Sequence, residues 1–215
     1  SHKSALELAK KLDPRNCKLK VGSQLFTSAG PRIIEELNDL GFDIFLDLKF
    51  HDIPNTVKRA VEASFEMGIW MLNVHSLGGT EMLRAASEVI NEASIKPLLI
   101  GVTILTSFDD KSLKQIGINS NVEDQVLILA ELCQKEGIDG VVCSPHELSL
   151  LRSKFLEDFI LVAPGIRSSK VEDDQKRTAS AHDALKNGAD YIVLGRDVTS
   201  SKNPADKISK IIEEI

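Results

Sequence analysis

The sequence predicts an α/β fold, a (β/α)8 TIM barrel whose first strand is missing from the given chain and would lie before Ser1. Two observations lead to this prediction. Seven short apolar runs alternate with segments of helical period, and no linker or change of composition divides residues 1–215. The chain also opens on a helical segment, SALELAKKLD, with no strand ahead of it. We therefore expect a single barrel domain.

The seven strand-like runs are rich in Val, Ile and Leu, as buried parallel strands are. In order they are CKLKV (17–21), IFLDLK (44–49), WMLNV (70–74), LLIGVTI (98–104), GVVCS (140–144), ILVAPG (160–165) and YIVLG (191–195). The segments between them carry helix punctuation, such as Pro31 in a first turn and Gly41 as a stop. An open doubly wound sheet is the second possibility, although no GxGxxG turn follows an early strand.

Composition and charge narrow the class of protein. The 215 residues are 42% apolar with a net charge of -6, which argues against a nucleic-acid-binding surface. No apolar run approaches the roughly 20 residues of a membrane span, and the first residues do not resemble a signal peptide. Cys17, Cys133 and Cys143 are too far apart in sequence to suggest a zinc motif or a disulfide framework. We expect a cytoplasmic protein that contacts neither membrane nor nucleic acid.

Charged residues at the end of the second run are the first sign of a functional site. In an alternating strand, Asp47 and Lys49 share one face, and Asp52 follows in the same FLDLKFHDIPNT stretch. Lys20 is expected on the neighbouring strand at the matching height. A lysine between carboxylates keeps its proton, because nearby opposite charges favour the charged form, and it then suits proton donation better than Schiff-base chemistry. An internal salt bridge of purely structural role is the simpler reading.

Other polar residues also follow predicted strands, as functional groups do in barrels. APGIR (163–167) and LGRD (194–197) follow the last two strands, where many barrels bind phosphate, and DQKR (174–177) lies between them. Main-chain amides near Gly195 and the Arg196 guanidinium match the geometry of a phosphate. The residues at or just after strand ends are Lys20, Asp47, Lys49, His75, Thr106, Ser144, Arg167 and Arg196.

Several of these motifs together carry a family resemblance. DLKFHDIPNT, KVGSQLFTSAGP (20–31), NVHSLGG (73–79), GVTILTS (101–107), PGIR, DQKR and ADYIVLGR (189–196) occur in the order and spacing of bacterial orotidine 5'-phosphate decarboxylases. The chain resembles that family from about Ala5 to its C-terminus. The DxKxxD motif alone is shared with sugar-phosphate decarboxylases and aldolases of the same superfamily, whereas its combination with the LTS and DQKR segments is much more specific.

The resemblance implies a role for each matching residue. Lys49 matches the proton donor, Asp47 the carboxylate beside the departing CO2, and Lys20 the lysine that completes the charge network. Asp52 and Thr56 match residues that reach into the partner subunit's site, which implies a homodimer. The remaining matches are Thr106 near the pyrimidine and Arg167, Gln175, Gly195 and Arg196 around the phosphate.

The implied activity is decarboxylation of orotidine 5'-phosphate to uridine 5'-phosphate in de novo pyrimidine synthesis, with neither a metal nor an organic cofactor. Residues 168–177 would form a lid that orders on the phosphate. The family's first strand ends in a ribose-binding aspartate that the given chain lacks, and Asp197 stands where proline is common. Two alternatives stay open: a metal-dependent sugar-phosphate decarboxylase or aldolase of the same superfamily, and a non-catalytic phosphate-binding barrel. His75 is expected to be structural.

Overall fold

The fold is described from a computed structural model that covers residues 1–92, 96–167 and 179–215. Seven parallel strands pair in chain order from β1 to β7, which confirms the predicted α/β class and parallel topology. The strands are β1 (Leu19–Gly22), β2 (Ile44–Phe50), β3 (Met71–His75), β4 (Leu98–Val102), β5 (Gly140–Val142), β6 (Ile160–Ile166) and β7 (Tyr191–Leu194). Each of the seven predicted runs overlaps one strand.

Helices connect successive strands, and further helices lie before β1 and after β7. Those of the described residues are α1 (His2–Ala9), α2 (Ser23–Ala29), α3 (Arg32–Asp39), α4 (Pro54–Phe65), α5 (Gly79–Glu92), α6 (Asp110–Gln115), α7 (Val122–Lys135), α8 (Leu148–Lys154), α9 (Ala181–Lys186), α10 (Arg196–Thr199) and α11 (Pro204–Glu213). Sequence reasoning missed α2, α6, α10 and α11. The last has clear signals, because Asn203 caps its first turn and Pro204 occupies a first-turn position.

The strands alternate between two apolar layers. In β2, Ile44 and Leu46 are fully buried in the core between the sheet and the helices. Phe45 belongs to a second cluster, with Met71, Ile100 and Val162 from β3, β4 and β6. Side chains from non-adjacent strands meet in this second cluster, so the sheet curls around it as in a barrel interior.

The two edge strands of the curled sheet face one groove. This groove has a volume of about 630 Å³ and is lined by Leu19 and Lys20 of β1 and by residues 191–194 of β7. Apolar side chains of α1 and α11, including Leu8 and Ile211, cover its outer side. The described residues thus form an incompletely closed barrel of seven strands.

Two further properties follow from the described residues. None of the helices that the structure describes is long and apolar enough to cross a membrane. Cys17, Cys133 and Cys143 are cysteines in the reduced form, and burial raises the pKa of Cys133 to about 12, so this thiol is protonated at neutral pH.

Candidate active site

A cavity of about 350 Å³ opens at the carboxyl ends of the strands. Apolar side chains such as Phe45, Val102 and Ile104 form much of its wall. Of the predicted site residues, those that line the cavity are Lys20, Asp47, Lys49, Thr106, Arg167, Gly195 and Arg196. The fold therefore brings together residues from both ends of the chain that sequence reasoning assigned to one site.

A carboxylate between two ammonium groups is the main electrostatic feature of this cavity. Asp47 Oδ2 accepts a hydrogen bond from Lys20 Nζ at 2.8 Å, and Asp47 Oδ1 accepts one from Lys49 Nζ at 2.5 Å. Burial alone would raise the pKa of Asp47, but the positive charges of Lys20 and Lys49 outweigh it and lower the pKa to about 2. The Asp47 carboxylate is therefore ionised at neutral pH. Because the cluster contains two ammonium groups and one carboxylate, its net charge is positive.

Lys20 reaches Asp47 by a route that differs from the expectation. The register pairs Lys20 with Phe45 and Gly22 with Asp47, so Lys20 lies two residues below the matching height. Its side chain extends along β1 past Gly22, where a Cβ atom would stand 3.4 Å from Lys20 Nζ. A Cβ atom at that distance would be in ordinary van der Waals contact, so the ammonium group passes directly beside residue 22.

The backbone of Lys49 is unusual. Its φ of 53° is the sole positive value among the non-glycine residues that the structure describes. The β2–β3 register shifts at the same place, since Leu46 pairs with Leu72 but Phe50 pairs with Val74. A left-handed L-residue costs roughly 1–2 kcal/mol, and such conformations concentrate at functional sites. In this conformation Lys49 Nζ lies 2.5 Å from Asp47 Oδ1.

Two histidines stack beside this cluster. The rings of His51 and His75 lie 5.2 Å apart between centroids at an interplanar angle of 23°. Burial, with smaller effects from His51 and Lys49, lowers the pKa of His75 to about 4. His75 is therefore neutral at physiological pH, which favours its predicted structural role over that of an acid.

The opposite side of the cavity carries the guanidinium groups. Arg167 follows β6, and its backbone N–H donates to Ala179 O at 3.0 Å. This hydrogen bond links the residues immediately before and after 168–178. Arg196 follows β7 and is exposed. The space beside the neighbouring Gly195 is open, because a Cβ atom added to this residue would have no other atom within 4 Å. Asp197 lies 3.5 Å from Lys207 Nζ, so its negative charge has a nearby counter-ion.

Comparison with known proteins identifies the family. The sequence profile of the Orotidine 5'-phosphate decarboxylase / HUMPS family matches residues 1–211. The chain belongs to this family.

Among relatives, the orotidine 5'-phosphate decarboxylase of Saccharophagus degradans is 48% identical over 216 residues, 100% of this chain and 91% of that protein. The enzyme of the same name from Legionella pneumophila (strain Corby) is 46% identical over 99% of this chain and 93% of its own length. The crystal structure of orotidine 5'-phosphate decarboxylase from Lactobacillus acidophilus has a TM-score of 0.87 and 36% identity, covering 99% of this chain and 93% of that chain. These similarities confirm the predicted resemblance.

Three residues matched to the family's pattern either do not line the cavity or lie outside the part of the chain that the structure describes. Asp52 and Thr56 are exposed and are not among the described residues that line the cavity. Asp52 Oδ1 accepts a hydrogen bond from the adjacent Ile53 N–H at 2.7 Å. Gln175 and the expected lid, residues 168–177, lie outside the described residues. Among the described residues of one chain, the carboxylate that accepts hydrogen bonds from both Lys20 and Lys49 is therefore Asp47.

Sequence reasoning missed Asn73, a buried residue that contacts both Asp47 and Lys49. The signal was present in WMLNV, where one amide interrupts an apolar strand at a position facing the barrel interior. Buried polar side chains need a partner, and this one finds both of its partners on β2. No group of three or more His, Cys, Asp or Glu that could hold a metal ion occurs within residues 1–92, 96–167 and 179–215.

Proposed function

We propose that this chain decarboxylates orotidine 5'-phosphate to uridine 5'-phosphate for pyrimidine synthesis, with Lys49 as the proton donor. The observation that carries this function is the Lys20–Asp47–Lys49 cluster, placed in one cavity with Arg167 and Arg196 in a member of this family. The charges suit a substrate that is anionic at both ends. The relatives described above bear the name of this enzyme.

The reaction breaks the bond between C6 of the orotate ring and its carboxylate carbon. CO2 leaves, and the electron pair stays on C6 in the plane of the ring, where it cannot delocalise. Acceleration at the upper end of the enzyme range, about 10^17-fold, corresponds to roughly 23 kcal/mol of transition-state stabilisation. The Lys49 ammonium would stabilise the developing carbanion and then transfer a proton to C6. The neutral amine regains its proton from solvent, so neither a metal nor a cofactor is needed.

Asp47 and Lys20 would support this step. Asp47 holds the Lys49 ammonium at 2.5 Å and is ionised at neutral pH, so it would also repel the substrate carboxylate before CO2 leaves. Lys20 holds the second oxygen of Asp47 at 2.8 Å and adds positive charge near the reacting atoms. A preorganised set of charges needs little rearrangement during the reaction.

The phosphate would bind at the far side of the cavity. Arg196 and Arg167 supply guanidinium groups, which bind phosphate through charge-assisted and often bidentate hydrogen bonds. Gly195 leaves main-chain amides accessible, and Gln175 would complete the group. Thr106 lines the cavity between the two ends and would lie near the pyrimidine. Binding energy from this remote group can contribute to catalysis at C6.

We infer that an eighth strand completes a single-domain barrel in the groove between β1 and β7. Among the described residues β1 and β7 are the edge strands of the sheet, and the groove between them is lined by apolar side chains of α1 and α11. A parallel strand would pair with both edges and remove them. By resemblance to the family, the end of that strand would supply the aspartate that binds the ribose.

The active site would be shared across a homodimer. Asp52 and Thr56 are exposed just after β2, and Ile53 between them, Leu77 after β3 and Leu105 after β4 expose 67%, 38% and 38% of their surfaces. Exposed apolar side chains beside polar ones are typical of an interface. In a twofold dimer, Asp52 of each chain would enter the partner's site next to Lys49.

Subunit mixing tests the shared site. Lys49→Ala and Asp52→Ala dimers should each be nearly inactive, whereas a mixed dimer contains one site with both defects and one with neither. Random exchange at equal concentrations makes about half of the dimers mixed and restores roughly one quarter of the native sites. If exchange verified by native mass spectrometry restored no activity, Asp52 would have to serve its own chain.

Turnover tests the function itself. Orotidine 5'-phosphate is incubated with the protein in EDTA, and loss of the orotate ultraviolet band is followed. Decarboxylation under these conditions supports the proposal. A magnesium requirement with activity on keto-sugar phosphates would favour the metal-dependent relatives in the superfamily, and binding of phosphates without any turnover would favour a non-catalytic barrel.

A further inference from the structure

Asn73 is a buried polar residue to which the mechanism above gives no part. It lies in β3 on the face that points into the barrel and is 1% exposed. Its Nδ2 donates to Asp47 Oδ1 at 2.7 Å, and its Oδ1 accepts the backbone N–H of Lys49 at 2.8 Å. One amide therefore holds both the carboxylate and the main chain of the proposed proton donor.

The register shift explains why an amide is needed here. Between the pairs Leu46–Leu72 and Phe50–Val74, β2 has three residues and β3 has one, Asn73. The regular ladder cannot satisfy every amide of such a bulge. The Asn73 side chain accepts the Lys49 N–H in place of a main-chain carbonyl of β3. It thereby stabilises the left-handed backbone at Lys49.

The second bond fixes the carboxylate. Asp47 Oδ1 accepts from both Lys49 Nζ and Asn73 Nδ2, while Oδ2 accepts from Lys20 Nζ. Because Asn73 is buried in a strand, its amide is a rigid donor, whereas the two lysine chains are long and about one-third exposed. The direction of the Asp47 carboxylate therefore depends on Asn73 more than on either lysine.

We propose that Asn73 is a positioning residue for catalysis, which sets the backbone turn of Lys49 and the orientation of Asp47 so that the ammonium group meets the reacting carbon. The proposal rests on the decarboxylase function argued above. It assigns Asn73 an effect on the chemical step, with no contact to substrate. A small misplacement of a catalytic group is enough to slow a reaction strongly.

The first test is Asn73→Ala, compared with Ser87→Ala. Ser87 is also a buried polar residue, but it lies in α5 and donates to Arg84 O, away from the cavity. For Asn73→Ala we expect kcat to fall on the order of 10- to 100-fold with KM changed less than about threefold. Ser87→Ala should keep the wild-type kcat even where its Tm is lower.

The second test is Asn73→Asp, which shows whether residue 73 must both donate to Asp47 and accept from the Lys49 N–H. A protonated carboxyl has one donor and one acceptor and can replace the amide, whereas an ionised one places a second anion beside Asp47. The ratio of variant to wild-type kcat should therefore fall at least about tenfold as pH rises from about 5 to 8, while the ratio for Asn73→Ala stays constant. Among the described residues, the titratable groups of this cluster and of the adjoining ends of β2 and β3 are Lys20, Asp47, Lys49, His51, Asp52 and His75.

The outcomes separate the two proposals. Wild-type protein that does not decarboxylate orotidine 5'-phosphate overturns the function, and the role of Asn73 with it. Active wild type, together with Asn73→Ala at full kcat or with a raised KM alone, overturns the positioning role and leaves the function intact. If Asn73→Ala does not fold, the near-isosteric Asn73→Asp decides, since a pH-independent kcat ratio contradicts the proposal.

Discussion

The charge of Asp47 should stabilise the folded chain, and acid should remove that stabilisation. Ionised Asp47 is paired with Lys20 and Lys49 in the folded state but is solvated in the unfolded state. Its pKa is lowered from 3.8 to about 2 on folding. A carboxyl with a depressed folded-state pKa contributes stability above the unfolded-state pKa, and that stability is lost as pH falls through the folded-state value.

The size of the effect follows from the two pKa values. A tenfold change in proton affinity corresponds to about 1.4 kcal/mol, so ionised Asp47 contributes roughly 2 kcal/mol at neutral pH. Its side chain is 12% exposed, so solvent screening is small. About 1 kcal/mol should be lost by pH 3 and about 2 kcal/mol by pH 2, with little change above pH 5.

Urea unfolding of wild type and Asp47→Asn at several pH values measures this contribution. The difference in unfolding free energy between the two proteins should shrink by about 1 kcal/mol between pH 5 and pH 3, because the variant has no carboxyl to protonate. Ser87→Ala, which removes no ionisable group, is the control, and its difference from wild type should not vary with pH. A constant difference for Asp47→Asn would refute the charge pairing described here.

Two further predictions concern the phosphate group and the core. Arg196→Ala should raise the activation free energy that corresponds to kcat/KM for orotidine 5'-phosphate by on the order of 2 to 4 kcal/mol, whereas turnover of orotidine, which has no phosphate, should barely change. Equal losses for the two substrates would contradict the assignment of Arg196 to the phosphate. Gly101→Ala should destabilise the fold by about 1–3 kcal/mol. The added Cβ would stand 2.3 Å from Cys133 Sγ and 2.8 Å from Ser76 Oγ. The Tm of Gly101→Ala should be lower than that of wild type, and adding Cys133→Ala should partly restore it. An unchanged Tm for Gly101→Ala would contradict the predicted steric clash.

The parts of this structure that were predictable are local in sequence. Apolar runs such as residues 98–102 and 160–166 identify strands, because burial on both faces demands apolar residues at every position. Once parallel βα units are inferred, the carboxyl ends of the strands must meet at one edge. Lys20, Asp47 and Lys49 could therefore be grouped without any coordinates.

The parts that were missed depend on pairing between strands. The shift opposite Asn73 and the left-handed backbone at Lys49 arise from the β2–β3 register, which the alternation of either strand alone does not reveal. The offset between Lys20 and Asp47 likewise follows from the β1–β2 register. Short helices such as α2 follow a strand directly and have too few residues for a periodic signal.

Comparing Lys49→Ala with Lys154→Ala tests whether Lys49 is the proton donor. Lys154 is an exposed residue in the last turn of α8, so it provides a lysine deletion away from the cavity. With wild type, both variants are incubated with orotidine 5'-phosphate in EDTA, and the ultraviolet band of the orotate ring is followed. If Lys49 donates the proton, its variant should lose at least about 10^3-fold in kcat/KM while Lys154→Ala matches wild type. A Lys49→Ala protein that is folded and within about tenfold of wild-type activity would contradict the mechanism.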